Sequence, residues 1–149
     1  MDYMCNNNDI NNCDNCMADI LKVILLLQQN VCQNDTCLQT CDRGFLGCGT
    51  TTMGCNTRPV MLYTSNGNGV PWRMPTTKEY NPTCDGSDNT SCVFRVEKID
   101  DNCATFRVLI PNTDQTSIYP FEATNSFFTM NLSCCCCMRC LNDTYIECI

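Results

Sequence analysis

Residues Cys92–Ile110, CVFRVEKIDDNCATFRVLI, decide the fold. Cys92, Phe94 and Val96 alternate with Val93, Arg95 and Glu97. After Asp100-Asp101-Asn102, Ala104, Phe106, Val108 and Ile110 alternate with Thr105, Arg107 and Leu109. In an extended chain successive side chains point to opposite faces, so a period of two separates a face to bury from a face to wet. The reading is an antiparallel hairpin with Phe94 and Phe106 toward a core and Arg95, Glu97 and Arg107 outward. Asp and Asn tolerate turn conformations and reverse the chain between the two runs.

Downstream, Ser126–Leu132 (SFFTMNL) sets Phe128, Met130 and Leu132 on one face and runs into Ser133–Cys140 (SCCCCMRC), with five cysteines in eight residues. Continued as one strand, the pleat places Cys134, Cys136, Met138 and Cys140 on the Phe128 face. Cys135 and Cys137 then point the other way, beside Arg139. The first set is expected to pair or pack inside the domain, and the second to be offered to solvent or to a neighbouring molecule. Upstream, Val60–Thr64, the turn Ser65-Asn66-Gly67-Asn68-Gly69 and Val70–Met74 read as a first hairpin, because Asn-Gly pairs supply the positive φ of tight turns. Residues 75–91, polar and containing Pro75 and Pro82, read as a long loop.

The N-terminal part reads differently. Met17, Ile20, Leu21, Ile24, Leu27 and Val31 recur at three- and four-residue steps, which predicts a helix over about residues 14–31, capped by Asp14 or Asn15. Val23, Leu25 and Leu26 widen its stripe and predict burial on more than one side. Residues 1–12, rich in Asn and Asp, read as a flexible arm. Cys32, Cys37, Cys41, Cys48 and Cys55, interspersed with Gly44, Gly47, Gly49 and Gly54, read as a disulfide-pinned irregular loop. The fold class expected is mainly β: an antiparallel β-sandwich or flattened barrel, with one N-terminal α-helix and a disulfide-rich loop, in a single cysteine-rich domain over residues 13–149.

Composition narrows the function. Nine basic residues against sixteen acidic ones give a net charge of −7 with no basic run, which argues against nucleic acid and anionic membrane surfaces. The longest apolar run, Ile20–Leu27, is too short to insert across a bilayer. Seventeen cysteines in 149 residues reach the level of a cross-linked scaffold, and an odd number leaves one thiol for another molecule if the rest pair internally. Yet the start, MDYMCNNNDINNCDNC, lacks the basic and apolar regions of a signal peptide. A chain made in a reducing cytosol thus carries the cysteine load of an oxidised protein. With no histidine to act as base, no cysteine nucleophile is positioned for catalysis. Arg139 beside Cys137 and Cys140 favours thiolate for disulfide exchange at most, so neither an enzyme nor a cofactor is expected.

Cys13-x-x-Cys16 and Cys137-x-x-Cys140 are able in principle to form a four-thiolate zinc site, and a cytosolic cysteine-rich zinc-binding protein is the alternative reading. The knuckle glycines and ordered second pairs of zinc ribbons are missing, however, so no metal site is assigned. A secreted, disulfide-stapled binding module is a further rival and requires a leader removed upstream.

Several segments together resemble one family. NTRPVMLYT (Asn56–Thr64), TSCVFRVEKIDDNCATFRVL (Thr90–Leu109), NLSCCCCMRCL (Asn131–Leu141) and CDRGFLG (Cys41–Gly47) are similar, in this order, to the CotY/CotZ/ExsY family of cysteine-rich spore coat and exosporium proteins. The resemblance covers nearly the whole chain from Cys13 onward. It implies a structural protein of the bacterial endospore surface, in the outer coat crust or the exosporium basal layer. Such a protein self-assembles as homohexamers into ordered two-dimensional sheets joined by disulfides, with other coat or exosporium proteins as partners. It also implies synthesis in the mother-cell cytoplasm without export and exposure when that cell lyses, which removes the compartment conflict. By position, Cys32, Cys37, Cys41, Cys92, Cys103, Cys134, Cys136 and Cys140 match family cysteines. Cys135 and Cys137 stand where relatives tend to carry apolar residues, and Asn102 where some carry cysteine. The cross-linking candidates are these cysteines together with Cys13, Cys16 and Cys148. Within them, Cys135 and Cys137 are expected to join chains while Cys134 and Cys136 stay internal.

Overall fold

The computed structural model describes residues 10–29, 55–82, 89–147 and 149. Helix α1 (Ile10–Gln29) is followed by strands β1 (Val60–Thr64), β2 (Met74–Pro75), β3 (Thr90–Ser91), β4 (Val93–Asp100), β5 (Cys103–Pro111) and β6 (Phe121–Asn131). A 3-10 turn (Leu132–Cys134) then leads into β7 (Cys135–Cys140). Five strands form one antiparallel sheet in the order β6-β5-β4-β1-β7, and β2 pairs with β3 separately.

The central hairpin forms where the alternation predicts, although its register slips between Val96 and Lys98 and Leu109, expected outward, is fully buried. Asp100 pairs with Cys103, leaving Asp101 and Asn102 as the turn, and Asp101 adopts φ 55°. Phe94 lies opposite Val108 and Val96 opposite Phe106, all four fully buried. Phe128 of β6 meets Phe94 edge-on at 4.7 Å between ring centroids and stacks on Phe106 at 5.3 Å. Those separations suit the aromatic quadrupole, and the three rings form the centre of the core.

A flat sheet would hold its outer strands about 19 Å apart, at roughly 4.8 Å per strand spacing. The chain passes from β6 to β7 through only Leu132–Cys134, a reach of at most about 14 Å. The sheet therefore curls, bringing the ends of its two outer strands together at one corner. It remains open: the antiparallel β fold with one N-terminal helix is as expected, and barrel closure is not made.

Helix α1 covers the concave core. Ala18, Leu21 and Ile24 are buried at helical spacing, with Met17, Ile20 and Leu25 packed around them. It starts at Ile10, earlier than the Asp14 or Asn15 cap suggested, local preference being a weak constraint on where a helix begins. Leu26 is 58% exposed, so burial is one-sided among the described residues. The same face carries Gln28, also buried, whose Nε2 donates to the Val96 carbonyl at 2.9 Å and whose Oε1 accepts from the Arg58 N–H at 3.2 Å. Gln28→Leu strands both main-chain groups. Each buried orphan costs about 1–3 kcal/mol, and the urea midpoint is expected to fall accordingly with an unchanged slope.

Three expectations are corrected. Val70–Met74 does not return alongside β1 as a ladder. Only the Trp72 N–H reaches back, donating to the Leu62 carbonyl at 2.7 Å, while Pro71 has no N–H to offer, and Met74 pairs with Ser91 instead. Part of the expected loop 75–91 is thereby strand. Arg95 points away from Phe94 but is not solvated: it is buried beneath Asn56–Thr57, donating to Thr57 Oγ1 at 2.9 Å and to the Asn56 carbonyl at 3.2 Å. The third concerns the C-terminal cysteines and is described with them below. The expected arm 1–12 and loop 32–55 lie outside the described residues, apart from Ile10–Asn12 in α1 and Cys55. No helix among the described residues is long and apolar enough to cross a membrane.

Candidate cross-linking edge

The cysteine run does not continue β6. The Leu132–Cys134 turn interrupts the pleat, Asn131 accepting through its side chain from the Ser133 N–H at 3.1 Å. Asn102 binds this corner from the β4–β5 turn, donating to Asn131 Oδ1 at 3.2 Å and to Ser133 Oγ at 3.4 Å. The Asn102 amide therefore acts as a polar clasp on this corner.

β7 then joins the opposite edge of the sheet beside β1. Val60 faces Cys140, Leu62 faces Met138 and Tyr63 faces Cys137, but Thr64 faces Cys135, so Cys136 is an extra residue in a bulge. A bulge reverses the side-chain alternation beyond it. Met138 and Cys140 face the core as expected, and Cys140 is disulfide-bonded. Cys135, however, is buried in the core cluster, while Cys134, Cys136 and Cys137 are exposed free thiols. The expected partition thus fails at three of its four cysteines: Cys135 takes the inner place, Cys134 and Cys136 lie outside, and only Cys137 is where it was expected. Unbroken period-two counting could not reveal this, because the 3-10 turn and the bulge each shift the phase.

Burial raises the Cys135 thiol above its ordinary pKa, outweighing its hydrogen bonds with the Tyr63 and Cys137 main chain. Desolvation, with Asp143 nearby, raises Cys55 as well. A thiol held neutral is a poor nucleophile. Native alkylation at pH 8, mapped by peptide mass spectrometry, should therefore label Cys134, Cys136 and Cys137 well before Cys135. A raised folded-state pKa stabilises the fold below the unfolded thiol value of about 8.5. That contribution is lost as pH rises through the folded value. Stability should accordingly decline on the alkaline side, and Cys135→Ala should flatten part of the decline.

Other candidates scatter around this edge. Cys103 is an exposed free thiol at the start of β5, across from Asn131 and close to the clasp. Cys16 is an exposed free thiol on α1, Cys92 is a half-buried free thiol, and Cys55 is half-buried. The Cys13 side chain and Cys32, Cys37, Cys41 and Cys148 lie outside the described residues, as does any zinc site built on Cys13.

Behind β7, the chain is anchored by residues that sequence reading missed. Arg58 and Asp143 form a two-pronged ion pair at 2.7 and 2.8 Å, with their side chains only 3% and 1% exposed. Thr144 bridges Thr57, and the Asn56 side chain donates to the Ile146 carbonyl and accepts from its N–H, both at 2.9 Å. This holds residues 143–146 against 56–58 and secures β7 from its C-terminal end. An Arg and an Asp separated by 85 positions carry no local signal that would link them.

Comparison with known proteins gives the assignment that the sequence suggests: the chain matches the Spore coat protein Z family over residues 4–143. The chain belongs to the Spore coat protein Z family. Spore coat protein Z of Bacillus subtilis (strain 168) is 29% identical over 114 residues, which span 63% of this chain and 77% of the relative. No solved structure matches.

Proposed function

We propose that this chain is a structural protein of the bacterial endospore surface, in the outer coat crust or the exosporium basal layer. It self-assembles into ordered two-dimensional sheets, with hexameric units locked by disulfides between subunits. The observation that carries this reading is the set of free thiols Cys134, Cys136 and Cys137, exposed at one edge of the sheet in a member of a spore coat family. A thiol on a rigid strand costs little ordering on cross-linking, and several links per subunit make release depend on simultaneous reduction. With a net charge of −7, copies repel at long range, so apolar contacts assemble the layer and disulfides then retain it. The chain is made in the mother-cell cytoplasm, meets oxidising conditions when that cell lyses, and contacts other coat or exosporium proteins. The role requires neither catalysis nor a cofactor.

Negative-stain electron microscopy of the protein expressed alone in a bacterial cytosol, before and after boiling with and without reductant, tests this. Sheets that survive boiling and disperse only with reductant are expected. Monomers under every condition would reject the reading.

A further inference from the structure

β7 ends the sheet order, and among the described strands none pairs with its far side. Along an antiparallel strand, alternate residues direct their N–H and C=O groups to opposite neighbours. The Leu141 N–H donates to the Pro59 carbonyl at 2.8 Å, which makes Arg139 and Cys137 the β7 residues whose main chain faces β1. The Trp72 bond to Leu62 agrees, since Leu62, opposite Met138, turns its carbonyl away from β7. Met138 therefore directs its main-chain groups to the side of β7 on which no described strand lies, a template for another strand. Side chains follow the same alternation. Met138 and Cys140 are half-buried against the core, and Cys137 and Arg139 are exposed.

We infer that the β7 edge is the docking surface for a second copy of this chain, whose own β7 adds antiparallel about a two-fold axis through Cys137. This deepens the self-assembly reading above and rests on it. A symmetric contact uses the same patch twice, so the register must pair like with like. An axis between two residues would oppose an outward-facing main chain to an inward-facing one and form no ladder, so the axis passes through a residue. Through Met138, Cys137 meets Arg139 of the second copy. Through Arg139, two like charges meet. Through Cys137, Met138 comes to lie opposite Cys136, and the two Cys137 residues meet in a non-hydrogen-bonded pair. In such a pair the Cα atoms approach to about 4.5 Å. A disulfide spans roughly 4.4–6.8 Å, and both thiols are exposed on the same face.

Charge and chemistry favour a copy over an unrelated partner. Although the chain carries −7 overall, Cys135–Cys140 contains no acidic residue and one arginine, so the excess negative charge does not oppose an approach along this strand. A copy also brings the reciprocal thiol. The bulge at Cys136 keeps the ladder short, so the covalent bond supplies the permanence.

A low-molecular-weight disulfide of the glutathione type supplies the oxidising equivalents. One Cys137 thiolate attacks it, forms a mixed disulfide and expels one small thiolate. The second Cys137 thiolate attacks the protein sulfur of that mixed disulfide and expels the other. Two protein thiols lose two electrons and two protons, and one small disulfide becomes two thiols.

The test uses the full chain, purified reduced, oxidised with oxidised glutathione and digested without reductant for peptide mass spectrometry. The expected product is the Cys137 peptide joined to itself, a link that can only run between chains. It should vanish in C137S and persist in C103S, which removes an exposed thiol of β5. Disulfide-linked oligomers that form without a Cys137–Cys137 peptide would overturn the edge register while leaving self-assembly standing. Wild-type protein that forms no disulfide-linked oligomer would overturn both.

Discussion

Asp143→Ala is expected to destabilise the domain by about 3–5 kcal/mol, because it leaves the Arg58 guanidinium buried without its counter-charge. The two side chains are 3% and 1% exposed and joined at two points, so water cannot replace the lost carboxylate without opening the structure. The effect extends beyond the pair. Arg58 follows Thr57, which exchanges main-chain bonds with Thr144, and Asn56 holds Ile146. Loosening Asp143 therefore frees the segment that pins the C-terminal end of β7. Urea unfolding measures the stability loss, and hydrogen exchange at Leu141–Ile146 should show local opening in the same variant. The double replacement Arg58→Met with Asp143→Leu should recover much of the loss. Taking two charges out of water is itself costly, and packed apolar side chains need no such compensation. Equal loss in the single and double variants would show that the geometry of the pair, rather than its charge balance, holds the tail.

Phe94→Ala should also cost about 3–5 kcal/mol, the range for deleting a buried aromatic and leaving a cavity. Phe94 touches both other rings of the core, with centroids at 4.7 Å from Phe128 and 6.3 Å from Phe106, and sits where β1 meets β4 opposite Val60. Its loss weakens the one pairing that joins the β7-bearing half of the sheet to the β4–β5–β6 half. Phe127→Ala is the control. That ring is 47% exposed, with the Arg107 guanidinium 4.5 Å from its centroid, and such an exposed contact contributes about 0.5–1 kcal/mol. Thermal or urea denaturation of the two variants should differ severalfold in effect. Comparable losses would contradict the placement of the core on the Phe128 side of β6.

The difference between adjacent Phe127 and Phe128 was legible from alternation alone, and so were the central hairpin, the helix stripe and the family. Each depends on periodicity or residue order within a short window, where backbone geometry dictates which side chains share a face. The division of the cysteines was not legible in this way. Its phase is reset twice, by a 3-10 turn clasped from Asn102 and by the bulge at Cys136, whose position is set against β1 some seventy residues earlier. Arg95 likewise obeyed the alternation yet ended buried, because Asn56 and Thr57 fold over its face of the sheet. By itself the sequence determined the central hairpin and its turn, the helix, and an excess of thiols in need of partners. Only the tertiary structure decided which thiols reach solvent, because exposure at a sheet edge depends on which distant strand lies alongside and where its register slips.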